Sequence, residues 1–198
     1  IFLAGFCLYC VFHLLSAAPT RQQRMSYLLF AGFTFMNVLA TLTLVMCYST
    51  SALEEHMLLL RMNLACNIIA QTLLPWFFAW YSGVRPKLVL GGSVVLCVFL
   101  FVLNLVQPNT MLYSDVYGLE RLLLPWGEAL FVTNATLGVW GYVSLTYLVL
   151  APVFGLYTLI TRYRRDHRRT TVYMMVAVVI LLAALVQAAL FRLLHVHT

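Results

Sequence analysis

Six apolar runs, each long enough to cross a bilayer as a helix, constrain this chain more than any other feature. They lie near 1–18, 26–49, 57–82, 88–106, 139–161 and 172–194. A hydrocarbon core of about 30 Å needs about 20 helical residues, since each adds about 1.5 Å. Lipid offers backbone N–H and C=O groups no partner, so such runs must satisfy their own hydrogen bonds. The expected fold is all-α: one polytopic transmembrane bundle over residues 1–198, with six spans.

Composition agrees. The chain is 63% hydrophobic and 9% charged, against about 25% charged residues in soluble domains. Its net charge of +6 is no argument for nucleic acid, because most of the basic residues sit in short loops between runs. Cys7, Cys10, Cys47, Cys66 and Cys97 all fall inside apolar runs and read as small packing residues. The first run lacks the charged leader of a signal peptide. Both ends read as cut, and the expectation is a longer protein with a further span after Thr198.

Loops one, three and five hold nine of the twelve Lys and Arg residues, among them Arg21, Arg24, Arg85 and Lys87. The fifth loop, RYRRDHRR, supplies five of those nine. Arg61, Arg121 and Arg192 map to the other side, with five of the six acids. The positive-inside rule then puts the odd loops in the cytoplasm and the N-terminus outside.

The fourth loop, Gln107–Gly138 (QPNTMLYSDVYGLERLLLPWGEALFVTNATLG), is too long for a plain connector. It is expected to fold back over the outer mouth of the bundle, with Tyr117–Glu128 partly a short helix. Leu119, Leu122, Leu123 and Leu124 would form its apolar face, and Pro125 would end it. Trp126-Gly127-Glu128 would turn into the fifth span, Trp126 anchoring at the interface and Glu128 lying beside outer polar groups. Asn134-Ala135-Thr136 matches a glycosylation sequon, a short pattern that is often fortuitous.

In the third run, Asn63, Asn67 and Gln71 recur at i, i+4 and i+8 and therefore share one helical face. Amides facing lipid are costly, so this stripe should face protein or a water-filled cavity. One reading is interhelical hydrogen bonding, at about 0.6 kcal/mol per contact. The other is ligand binding, with Asn104, Trp126, Glu128, Gln187 and Arg192 completing the candidate site. Arg192 either snorkels to the interface or turns inward to meet an anionic group. His13, His56, His195 and His197 do not pair at matching depth as a bis-histidine haem requires. No nucleophile elbow, HExxH, phosphate loop or mid-membrane acidic pair occurs. No catalytic centre, cofactor or metal is therefore expected.

The run of short basic loops ending in RYRRDHRR resembles the multi-helix membrane sensor region at the N-terminus of bacterial histidine kinases and diguanylate cyclases. So does the long outer loop, with an Asn closing span four (FVLNLV) and a Trp opening span five (GVWGYVSLTYLVL). The resemblance covers nearly the whole chain and rests on layout. It implies a seven-helix bundle in the bacterial inner membrane, homodimerisation and a cytoplasmic output domain of kinase or cyclic-di-GMP type. It carries over no catalytic residue. The expected function is detection of a small molecule, amphipathic ones included, at the outer face. A small transporter or channel subunit is the rival, and a membrane enzyme or its assembly partner the third reading. Partners on the first reading are membrane lipids and the ligand, with no nucleic acid.

Overall fold

A computed structural model of the chain describes residues 20–123, 127, 129–167 and 169–195. The first apolar run, 1–18, lies outside the described residues. Helix α1 spans Arg21–Ser49, and Thr20 caps it by accepting the Gln23 N–H at 3.3 Å. Helix α2 spans Leu53–Ser82 and opens on Glu54 and Glu55, two anions at the positive end of its dipole. Gly83 ends it at φ +78°, a left-handed conformation that glycine adopts without a β-carbon clash. Helix α3 spans Lys87–Val106, helix α4 Val139–Asp166 and helix α5 Arg169–His195.

Helix α2 is the shared partner, packing on α1, α3 and α4, while α5 packs on α4. Small residues let the backbones approach. Ala79 and Ala151 are buried, and a β-carbon added at Gly155 of α4 would collide with the Phe78 ring of α2. Such contacts replace the hydrophobic effect, which gives apolar helices no reason to associate within lipid.

Two core regions follow. Leu60, Leu64, Ile68, Leu100, Met111 and Tyr147 belong to one, toward the N-terminal half of α2. Leu74, Phe77, Phe78, Ala151, Leu159 and Val178 form the other, toward its C-terminal half. The outside is apolar: Leu88, Val95, Val106 and Val179 are all exposed, while Asn63, Gln71 and Asn104 are buried. A soluble protein distributes these residue types the other way round.

Four helices, α1 to α4, are long and apolar enough to cross a membrane among the described residues, rather than the six expected. Helix α5 occupies the sixth run, but the part whose side chains are described without a break, Arg169–Ala183, is too short to count as a span.

The fourth loop corrects the all-α expectation. Strand β1 (Tyr113–Leu123) pairs antiparallel with strand β2 (Ala129–Leu137), with Tyr113 opposite Leu137 and Leu123 opposite Ala129. The short helix expected within Tyr117–Glu128 is therefore absent over its described part, which is strand from Tyr117 to Leu123. The leucine spacing fits a helix, yet β2 (ALFVTNATL) supplies β-formers along a full-length partner. A cross-strand hydroxyl pair, Ser114 to Thr136 at 2.8 Å, adds to the ladder. Strand β1 ends at Leu123 and β2 starts at Ala129, so the intervening segment leads to β2 and not into the fifth span, which starts at Val139. Gly127, at φ +92°, is its described residue. Trp126 and Glu128 lie outside the described residues.

Substitution of Gly155 by leucine should separate α4 from α2, because the Phe78 ring occupies the space. Thermal unfolding in detergent should shift down by several degrees, with partial recovery in Gly155→Leu/Phe78→Ala. No shift in the single variant would show that this contact does not hold the helices together.

Candidate functional site

His56, Arg61 and Asn63 of α2 and Asn104 of α3 lie in the half of the bundle that carries the hairpin. Gly138 N donates to Leu112 O at 2.7 Å, fixing the hairpin base beside the ends of α3 and α4. The hairpin passes α2 where His56 Nε2 meets Thr133 Oγ1 at 3.0 Å, and β2 packs on α1. The fourth loop thus does fold back across the helix ends, as a β-hairpin.

Asn63 is buried and turned to α1, donating to Ala40 O at 2.5 Å, with Thr43 Oγ1 at 3.4 Å. Asn67 is half-buried and donates to Asn63 O and Oδ1 at 2.9 and 3.1 Å. Asn63 spends its donor on a neighbouring helix, as interhelical glue does, whereas Asn67 bonds within α2. Asn104, fully buried on α3, donates to Arg61 O of α2 at 2.9 Å. Arg61 in turn donates to Gln107 O and Pro108 O at 2.9 and 3.0 Å, a cation at the negative end of α3.

Gln71 is where a proline creates a vacancy in the helix ladder. Pro75 has no N–H, so the carbonyl of Gln71, four residues earlier, loses its helical donor. The Tyr147 hydroxyl of α4 approaches that carbonyl at 3.5 Å, a long bond that partly replaces the missing one. Tyr147 is not among the residues that the sequence singles out. The available signal was a tyrosine facing a proline-freed carbonyl, visible only once the helices are paired.

Four buried polar atoms around α2 have no hydrogen-bond partner: His56 Nδ1, Arg61 Nε, Gln71 Oε1 and Asn104 Oδ1. Two are acceptors and one, Arg61 Nε, is a donor. The histidine nitrogen takes either role, depending on the tautomer. Unsatisfied buried groups cost about 1–3 kcal/mol each, so the site favours any molecule or water that supplies the missing partners.

Of the other residues expected here, Gln187 on α5 is exposed and does not join the buried group. The Arg192 side chain lies outside the described residues, like Trp126 and Glu128. No group of three or more His, Cys, Asp or Glu side chains is placed to hold a metal among the described residues. The arrangement can exchange hydrogen bonds.

The fold defines a class, that of a helical integral membrane protein. Comparison of the chain with protein-family models, with curated proteins and with solved structures gives no match in any of the three.

The Asn63 bond should contribute about 0.6 kcal/mol, the average for a membrane-buried interhelical pair. Asn63→Leu should therefore lower stability only slightly in a reversible unfolding assay. Loss of several kcal/mol would mean that the amide holds more than the α1–α2 contact. Tyr147→Phe should cost about 1 kcal/mol in the wild-type background, and clearly less in Pro75→Ala, which restores the N–H to Gln71 O. Equal cost in both backgrounds would disconnect Tyr147 from the proline vacancy.

Proposed function

We propose that the chain is the membrane sensory part of a signalling receptor. It takes up a small molecule at the hairpin end and passes a helix rearrangement to an output domain at the basic end. The observation that carries this reading is the position of the hairpin, which crosses the helix ends and is tied to α2 by the His56–Thr133 bond. Near the same end lie Asn104 Oδ1 and Arg61 Nε, and further along α2 lies Gln71 Oε1, all lacking partners. A ligand that donates to the acceptors, or accepts from Arg61 Nε, would favour one packing of α2 over another. Only such differential affinity shifts a population between two states.

The basic end is cytoplasmic on this reading and the hairpin end, with the N-terminus, outside, in keeping with nine basic residues at the former. The membrane is the bacterial inner membrane and the output a histidine kinase or cyclic-di-GMP enzyme, in line with the sensor-like layout of the loops. Such receptors work as homodimers. The transporter or channel reading needs a polar path through the bundle. Leu74, Phe77, Phe78, Ala151 and Leu159 form an apolar cluster of α2 and α4 toward the basic end, which counts against it.

Two measurements test the proposal. Single cysteines at Arg24, Lys87 and His167, on a background free of native cysteine, should be shielded from impermeant thiol reagents in intact cells. Cysteines at Glu55 and Asp115 should be labelled. The reverse pattern overturns the outward-facing hairpin. The reading frame after Thr198 should encode a cytoplasmic signalling domain, and a stop soon after one further span would favour the transporter.

A further inference from the structure

The end of the bundle opposite the hairpin is assembled from every helix. Gln22 of α1 donates to Trp80 O at 2.8 Å, and Arg162 of α4 donates to Tyr81 O. These bonds bring the start of α1 and the end of α4 to the C-terminal turn of α2. Lys87 opens α3 just beyond Gly83, and Arg169 opens α5 just beyond the His167 cap of α4.

Two of the cations gathered there are held by aromatic rings. The Arg85 guanidinium carbon lies 3.6 Å from the Trp80 ring centroid, and that of Arg162 lies 4.1 Å from the centroid of Tyr81. Arg162 also approaches Asp166 at 4.0 Å. Six others, Arg21, Arg24, Lys87, Arg164, Arg165 and Arg169, are exposed, and none forms an ion pair among the described residues. Asp166 is the one acid at this end of the sequence pattern.

Depth decides what these cations meet. Leu88, directly after Lys87, is 92% exposed, and Tyr173, one turn after Arg169, is 71% exposed. Apolar side chains that open to the outside of a membrane bundle face hydrocarbon, so the adjoining cations stand at the level of the lipid phosphates. Trp80 and Tyr81 fit the same level, where amphipathic rings accumulate.

We propose that this rim binds anionic phospholipid headgroups of its own leaflet, the unpaired Arg and Lys side chains taking the phosphates. A zwitterionic headgroup cancels its phosphate charge with choline, whereas phosphatidylglycerol does not. The rim therefore selects by net charge, and helix ends that meet there respond together to the lipid around them.

Spin-labelled phosphatidylglycerol and phosphatidylcholine, compared on the whole chain reconstituted in phosphatidylcholine bilayers, test this. The glycerol lipid should be motionally restricted by the protein roughly threefold more strongly at low salt, given the pull of each juxtamembrane cation. The preference should fall toward equality in about 1 M salt, where the screening length shrinks to about 3 Å. Arg164→Gln/Arg165→Gln/Arg169→Gln should remove at least half of it, with unchanged circular dichroism. Arg121→Gln, on the hairpin, should leave it intact. If the triple variant does not fold, Arg24→Gln/Lys87→Gln takes its place. Equal restriction of both lipids by the wild type overturns the proposal, as does a preference that survives the rim substitutions. Loss of the preference on adding inorganic phosphate at constant ionic strength would assign the rim to free anions and also overturn it.

Discussion

Little water reaches polar groups buried between helices in a bilayer, so they need protein partners, and several on Leu53–Ser82 find them on a neighbour. That requirement explains why one helix touches three others. Asn63 reaches α1 through Ala40 O, Arg61 and Asn104 join α2 to α3, and Tyr147 joins α4 to the carbonyl that Pro75 leaves open. Each bond is modest, about 0.6 kcal/mol on average. Their value is directional, since each fixes which face of α2 meets which helix. Close packing at Gly155 and Ala79 then supplies attraction that hydrophobicity cannot provide in lipid.

The two ends of the bundle solve different problems. At the hairpin end His56 Nδ1, Arg61 Nε and Asn104 Oδ1 remain unmatched, and Gln71 Oε1 joins them further along α2. Toward the other end an aromatic and aliphatic cluster packs beside small buried hydroxyls, Thr171 Oγ1 unmatched among them, and the charge sits outside on a rim steadied by Trp80 and Tyr81. On the proposed receptor reading, the unmatched groups are where a small molecule or water would act. The apolar cluster toward the other end is then the part through which helix movement would be passed on. A receptor needs both, and a conduit would need polar groups along its whole length.

The hairpin shows why local pattern misleads in such loops. Leu119, Leu122, Leu123 and Leu124 have helical spacing, yet β1 exposes Leu122 and Leu123 and pairs along its length with β2. A short isolated helix forms few internal bonds and leaves both ends open. A long hairpin satisfies the facing groups of both strands and also crosses the helix ends. The choice was made by a partner segment further along the chain, as Leu119 opposite Thr133 and Tyr113 opposite Leu137 illustrate.

Run length, hydropathy and charge placement in the sequence determined that bilayer-length helices form, where α1 to α4 lie, and which ends carry the basic residues. These properties are local, because a helix in lipid closes its own backbone bonds and needs no partner to exist. Periodicity also determined that Asn63 and Gln71 share a face. Only the tertiary structure decided what that face does: Asn63 is bound to Ala40 O, while Gln71 Oε1 is left unmatched. The difference depends on which carbonyl or hydroxyl of another helix comes within about 3 Å, and helix pairing sets that distance where sequence spacing does not.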